Sequence, residues 1–341
     1  MINPTQLRLM FLSVLLVLTA CGGSGADKGS SNPNSEGTSS GLSGLITLDS
    51  TDLGHYKGVY SFRLSNGSVT SKGVLEAEGR KPSRHPKGKI VFKKECGGVN
   101  KNEIAILKTD GIITPVTPCI TDLAPILQNT LPYYVSLPYY GRAKLSPDES
   151  LIAVEIDYRG GDDGLEDKTF ILVFDMSGTI QHRYDDAFNP AWLPDGRLLV
   201  VSTLGNGDQM FITDDSLNDL TLIKNKPLGS SVNYVDISSS GKKLVFVYNF
   251  QIWIMNIDGS GLKRLITKRN SRLKDPTWSP NEKYIAYFST SDDNPTLGYD
   301  KKINFFEIES GKTSELKTDG NVFRNDRAFS FHPRGPLTWT N

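Results

Sequence analysis

The chain has 341 residues, 38% of them hydrophobic and 22% charged, with 38 acidic and 38 basic side chains. That apolar share supports a sizeable core, enough for one large β domain or two smaller ones. A formal net charge of zero supplies no electrostatic footprint for nucleic acid and no polybasic patch for a membrane surface.

Arg8 and the apolar run LMFLSVLLVL read as a targeting segment, because the run falls short of the roughly 20 residues that a bilayer span needs. It ends in Leu-Thr-Ala-Cys, Leu18 to Cys21, which resembles the bacterial lipobox. The resemblance implies a signal peptide over residues 1–20, cleavage before Cys21 and acylation of that residue by two or more chains, which anchors stably where one chain does not. A secretory signal with a chance cysteine is the alternative. Gly22, where an Asp would resemble the inner-membrane retention signal, implies the outer membrane in a Gram-negative cell.

Residues 21–44 hold almost no large apolar side chains and are expected to remain a disordered tether, with a reach of about 25–30 Å for a Gly/Ser coil of this length. The folded domain is therefore expected over 45–341. With Cys21 lipidated, Cys96 and Cys119 remain as an even pair outside the cytoplasm, where a structural disulfide is the default, contributing about 3 kcal/mol. Neither has the CxxC spacing of a redox or zinc site.

The first folded element is a predicted hairpin, GVYSFRLSNGSVTSKGV, residues 58–74, with Asn66-Gly67 at its tip. A two-part repeat follows. Its first part is a turn leading into an apolar run: HPKGKIVF, SPDESLIAV, LPDGRLLVV, SSSGKKLVFV, SPNEKYIAYF and HPRGPLTWT. The turn position falls at residues 86, 147, 194, 239, 280 and 333, a period of about 49. Proline fixes φ there, and the Asp, Asn or Gly that follows accepts turn geometry. Trp192 and Trp278 stand two residues before it, with Leu145 and Phe331 as their equivalents, and read as packing between neighbouring sheets.

The second part is a hairpin: EIAILKTDGIITPV, TFILVFDMSGTIQHRY, a looser QMFITDDSLNDLTLI, QIWIMNIDGSGLKRLI and INFFEIESGKTSEL. Asp110-Gly111, Ser177-Gly178, Asp258-Gly259 and Ser310-Gly311 are expected as two-residue tips with φ > 0. Each pair of parts makes a four-stranded antiparallel sheet. The C-terminal FSFHPRGPLTWT is a first part with no hairpin after it, and residues 58–74 are a hairpin with no first part before it. Joined, the two ends complete one composite blade and remove two exposed sheet edges. The expected fold is all-β, a six-bladed β-propeller of four-stranded blades.

The turns SPDESLIAV, LPDGRLLVV and DPTWSPNEKYIAYF, with hairpins such as IWIMNIDGSGLKRLI, resemble the WD40-like (PD40) repeat of the TolB propeller family over about residues 80–341. The resemblance implies a six-bladed propeller in the cell envelope. It departs from that family in leaving no room between tether and Lys57 for the α/β domain that precedes the TolB blades, so a Tol-Pal role does not carry over. The wider family includes lyases and the propellers of prolyl-oligopeptidase-type peptidases, but no GxSxG elbow or hydrolase-sized segment is present.

Chemistry-bearing groups are sparse. His85 and His332 read as turn residues, His182 lies within a strand, and His55 precedes the first hairpin; no Ser-His-Asp grouping or HExxH motif can be assembled, so no catalytic residue is assigned. Three longer insertions are candidate binding loops. Residues 117–142 include LPYYVSLPYY, where Tyr133, Tyr134, Tyr139 and Tyr140 suit peptide or glycan contact or fold down as a plug over the channel. Residues 158–168 carry Asp162, Asp163, Glu166 and Asp167, which admit calcium or read as a solvated acidic loop, and residues 289–300 read in the same way. Standard blade order sends all three from one face. Residues five before each turn position, among them Arg142, Asn189 and Asp275, are expected at the channel mouth on that face as binding candidates.

Two functional expectations follow. One is a lipid-anchored envelope module, a monomeric domain without a cofactor, that binds a protein or peptide partner or serves assembly through its loop-rich face. The other is an envelope hydrolase or lyase acting on a sugar or lactone in the central channel.

Overall fold

Strands in the computed structural model alternate with tight turns through residues 42–51, 57–66, 68–69, 74–98, 101–123, 138–158, 168–203, 207–223, 232–268, 271–291, 302–316 and 332–341, which are the residues it describes. Cys21, the signal and most of the tether, Tyr133, Tyr134, Asp162, Asp163, Glu166 and Asp167 lie outside them.

The strands form six antiparallel sheets, the blades of a β-propeller. Blade 1 comprises β5 (Arg80–Arg84), β6 (Ile90–Glu95), β7 (Asn102–Leu107) and β8 (Ile113–Pro115). Blade 2 comprises β9 (Tyr139–Leu145), β10 (Leu151–Tyr158), β11 (Lys168–Asp175) and β12 (Ile180–Asp185). Blade 3 runs from β13 (Ala187–Trp192) to β16 (Leu220–Leu222), blade 4 from β17 (Val232–Ile237) to β20 (Lys263–Ile266) and blade 5 from β21 (Ser271–Trp278) to β24 (Thr313–Glu315). The second strand of blade 3, β14 (Leu198–Ser202), is buried at every position, because a blade is covered by neighbours on both faces, and its sequence is accordingly an aliphatic run closed by Ser202.

Blade 6 is built from both ends of the chain, in the order β25 (His332–Thr340), β1 (Gly44–Thr51), β2 (Lys57–Ser65) and an outer position shared by β3 (Ser68–Val69) and β4 (Val74–Glu78). The division is one strand from the C-terminus and three from the N-terminal side, where sequence reading expected two and two. His332-Pro333-Arg334-Gly335 does not turn. It continues into a single bulged strand paired with β1, from Thr51↔His332 to Leu45↔Thr340. The segment equivalent to Pro276-Thr277-Trp278 is Leu337-Thr338-Trp339, so Trp339, rather than Phe331, takes the place of Trp192 and Trp278, and His332 is not a turn residue. Packing also begins earlier than residue 45: Leu42 is buried, and Gly44 opens β1 at φ 133°, where an added Cβ would lie 2.5 Å from the Thr340 carbonyl oxygen and against the Trp339 ring.

Six apolar clusters lie at the six blade junctions. Val91 and Ile106 of blade 1 meet Ile152 and Phe174 of blade 2. At the closing junctions, Phe305 and Tyr284 of blade 5 meet Trp339, Ile46 and Phe62 of blade 6, and Val59 of blade 6 meets Phe92 and Ile90 of blade 1. Burying each such side chain stabilises by about 1.5–3 kcal/mol, so the two junctions that flank the composite blade are held by the same force as the other four.

The first hairpin keeps the expected two-residue tip, with Ser65 paired to Ser68 and Asn66 at φ 49°, but the four later tips differ from it. Only the glycines take positive φ, 85° at Gly111, 85° at Gly178, 86° at Gly259 and 70° at Gly311. In blade 2, Gly178 N–H donates to Asp175 O and Asp175 N–H to Thr179 O, the pattern of a type I turn closed by a left-handed residue. The carboxylate of Asp175 then accepts the Ser177 and Thr179 amides. Cys96, after β6, and Cys119, after β8, are joined by a disulfide with Cα atoms 6.0 Å apart, because both loops bend together beyond the strand ends.

Candidate functional site

The innermost strands β25, β5, β9, β13, β17 and β21 each contact the next and enclose a central channel. All six run in one direction, from the face where the strands flanking the long connections end (Tyr139, Tyr158, Lys168, Ser291 and Lys302) to the face of the short turns. The two faces are called here the loop side and the turn side.

Every inner strand carries a register shift against its neighbour near its middle. In four blades the residue at the shift is left-handed without being glycine: Lys81 (φ 51°), Asn189 (φ 51°), Tyr234 (φ 57°) and Asp275 (φ 50°). These are the positions five before the turn. Proline follows three of them, at 82, 190 and 276, tolerated because a bulge frees the amide that a regular ladder would require. A backbone conformation of this kind costs about 1–3 kcal/mol per residue and marks sites where the fold aims a side chain.

The bulged residues form the loop-side level of the channel. Arg142 of blade 2 is ion-paired through Nη2 with Oδ1 of Asp275 in blade 5. Those blades stand opposite each other in the ring, so the pair spans the axis. The Arg142 guanidinium also stacks 4.6 Å from the centre of the Tyr234 ring. Burial opposes the guanidinium charge, but Asp275, Glu155 and Tyr234 outweigh it and hold the group protonated above its ordinary range. Glu155, on β10, accepts the Asn189 amide at 2.9 Å; burial and Asp157 push its pKa up, against Arg142. Gly141 is required beside it, since a Cβ there would lie 2.5 Å from Glu155 Oε1.

Two residues further along, Ser83, Lys144, Ala191, Asp236, Thr277 and Thr338 form the turn-side level. They open into a cup of 240 Å³, walled by Leu145, Trp192, Ile237, Trp278 and Trp339 at the next position. Trp192 donates to the Lys144 carbonyl at 2.9 Å and ties blade 3 to blade 2. Asp236 Oδ2 accepts the Thr277 hydroxyl at 2.8 Å and the Trp278 amide at 3.1 Å, tying blade 4 to blade 5.

The sequence candidates fall as follows. Arg142 and Asp275 do meet in the channel, and Asn189 stands at the same level with its backbone amide on Glu155; Asn189 and Asp275 are 5% exposed and belong to the interior, not to an open mouth. Tyr140 is fully buried, with its hydroxyl donating to Pro118 O at 2.8 Å, so it is a core residue and not a contact residue. Tyr139 is half-buried on the loop side, its ring centre 5.4 Å from Lys81 Nζ and 5.7 Å from Lys93 Nζ. His85 holds a turn position: its carbonyl accepts Gly88 N–H and its Nδ1 accepts Lys87 N–H. Among the described residues no three His, Cys, Asp or Glu side chains are grouped as a metal site. Sequence reading passed over Lys144, Asp236, Glu155 and Tyr234, although the same repeat alignment that singled out Arg142 places Tyr234 five before, and Lys144 and Asp236 three before, the turn.

No protein-family model matches the chain, and no curated protein matches it in sequence. In structure it is similar to TolB from Acinetobacter baumannii, at 14% identity and a TM-score of 0.61 over 87% of this chain and 67% of that one. It is similar to a putative TolB from Agrobacterium tumefaciens, at 15% identity and a TM-score of 0.53 over 88% and 99% of the two chains. Kuenenia stuttgartiensis hydrazine synthase aligns at 13% identity and a TM-score of 0.59, over 88% of this chain and 47% of that one. At such identities the likeness is one of fold: the chain carries a TolB-like six-bladed propeller.

Proposed function

We propose that this protein is a lipid-anchored propeller of the cell envelope that holds a protein or peptide partner on its loop side. The observation that carries the reading is the Arg142–Asp275 pair across the axis, stacked on Tyr234. It crosses the axis beneath the loop side with groups already bonded to each other, and the strand ends around it make the platform. The long connections at 124–137, 159–167 and 292–301 leave strand ends on that platform, where a rigid scaffold presents binding loops. Tyr139, half-buried under two ammonium groups, is the ordered base from which the Tyr133 and Tyr134 segment departs. Cys21 supplies the anchor, to the outer membrane in a Gram-negative cell, and residues 22–41 the tether. The rival reading, a hydrolase or lyase working in the channel, finds its loop-side end already crossed by the Arg142–Asp275 pair.

Chemical crosslinking of the native envelope followed by mass spectrometry tests the reading. A discrete crosslinked partner is expected, and replacing Tyr133, Tyr134 and Tyr139 together by Ser should reduce its capture at least tenfold. Equal capture by the triple variant would remove the loop side from consideration. Cys21→Ala should move the chain from the membrane to the soluble fraction; a variant still sedimenting with membranes would refute the anchor.

A further inference from the structure

The turn-side cup contains polar atoms that no bond among the described residues engages. Among the described residues no acceptor lies within hydrogen-bond or ion-pair reach of the Lys144 ammonium. Its neighbours at the axis are engaged: Arg142 with Asp275, and Arg84 with Thr47 Oγ1, Ser61 Oγ, Gly88 O and Glu76 Oε1. Asp236 uses only Oδ2, on Thr277 and Trp278, and among the described residues nothing donates to its Oδ1. The Ser83 hydroxyl, one blade from Lys144, likewise has no partner among the described residues.

The geometry between these groups is specific. Lys144 belongs to blade 2 and Asp236 to blade 4, and the residue between them in the ring is Ala191, the smallest side chain of the six at this level. Both residues line the same cup, and the blade between theirs contributes only the Ala191 methyl at this level. Lys144 sits within the body of the protein yet keeps part of its surface open to the cup. Burial disfavours its charge and Arg142 adds to that effect, while Asp236 and Asp275 oppose it incompletely, so its pKa is pushed down. An ammonium in that condition gains from any anion brought to it.

We propose that the turn-side cup binds a small carboxylate that carries an adjacent N–H donor. The carboxylate lies on Lys144 Nζ and Ser83 Oγ, and the N–H lies on Asp236 Oδ1. The volume of 240 Å³ falls below the roughly 300–1,000 Å³ of ordinary ligand pockets, which limits the occupant to about one amino-acid residue. The apolar wall of Leu145, Trp192, Ile237, Trp278 and Trp339 receives its side chain. A free α-amino acid and the C-terminal residue of a peptide share this chemistry. The site lies on the face opposite the loop side and does not depend on the reading of that face.

Isothermal titration calorimetry of the full chain in detergent, with alanine, the dipeptide Ala-Ala and its C-terminal amide as probes, tests the site. Binding of alanine or Ala-Ala is expected, weakened at least tenfold by amidation of the dipeptide and at least tenfold by Lys144→Met. Lys144→Arg should restore part of the affinity, and thermal unfolding of each variant separates lost binding from lost fold. Binding of Ala-Ala without alanine assigns the site to peptide termini, and binding of alanine without Ala-Ala assigns it to the free amino acid. Absence of binding by every carboxylate probe, or unchanged affinity in a folded Lys144→Met protein, would overturn the proposal.

Discussion

The two levels of the channel are made from the same inner strands, two residues apart, and they treat charge in opposite ways. On the loop side Arg142 and Asp275 meet across the axis, and the planar guanidinium suits this because it satisfies a carboxylate and an aromatic face at once. On the turn side no ion pair joins Lys144 to Asp236 among the described residues, and Asp236 Oδ2 accepts instead from Thr277 and Trp278. Both levels lie inside the protein, where an unpaired charge loses hydration without compensation. A paired set of this kind is explained by the ring it holds together. An unpaired set is not, and the difference separates a structural element from a candidate ligand site.

Loss of the closing strand removes part of both levels at once. Deleting residues 332–340 takes away the innermost strand of blade 6, its whole pairing with β1, and the Trp339 packing on Phe305, whose ring centres are 5.3 Å apart. It also opens the edges of β1 and of the blade 5 junction. The truncated chain should lose its cooperative thermal transition by circular dichroism and run as aggregate in gel filtration. A cooperative melt close to that of the intact chain would show that the closure is dispensable.

The next test acts on the loop side alone. Arg142→Met leaves Asp275 buried without its partner and should destabilise by about 3–5 kcal/mol in urea unfolding. Combining it with Asp275→Asn should recover most of the loss, because Asn removes the charge and accepts the left-handed backbone at φ 50°. A double variant no better than the single one would mean that the ion pair itself, and not the stranded carboxylate, supplies the stability.

How much of this could be read in the sequence depends on whether the signal was local. The turn at each repeat is local, since Ser146 and Ser279 cap their own turns through Asp148 and Asn281, and the period of those turns gave the blade count. The closing blade misled in register because His332-Pro333-Arg334-Gly335 imitates His85-Pro86-Lys87-Gly88 while pairing as a strand with Thr51 to Asp49. Tyr139 and Tyr140 look alike in sequence, and β pairing alone decides that one faces the loop side and the other the core. The Arg142–Asp275 pair joins residues 133 positions apart, which the repeat alignment could place at one level but not across one axis. Lys144 went unnoticed because its character comes from what surrounds it, above all from Ala191 in the neighbouring blade.

The smallest expected effect is also the one whose sign the comparison fixes. Lys144→Met removes an ammonium that no described residue pairs, so the change should be neutral or stabilising by about 1 kcal/mol at pH 7, opposite to Arg142→Met. The pH dependence follows from the depressed pKa. The folded state releases the Lys144 proton at a lower pH than the unfolded chain, which holds it to about its ordinary value of 10.5. Between those two values the unfolded state binds more protons, so this group makes stability rise with pH, and its penalty is fully present below the folded pKa. The advantage of Lys144→Met over the natural chain should therefore shrink as pH is raised toward 10.5. Parallel urea unfolding at pH 7 and at alkaline pH reads this directly: a constant difference between the two proteins would mean that the Lys144 ammonium is not strained in the cup, and a growing one would reverse the assignment of its partner-free state.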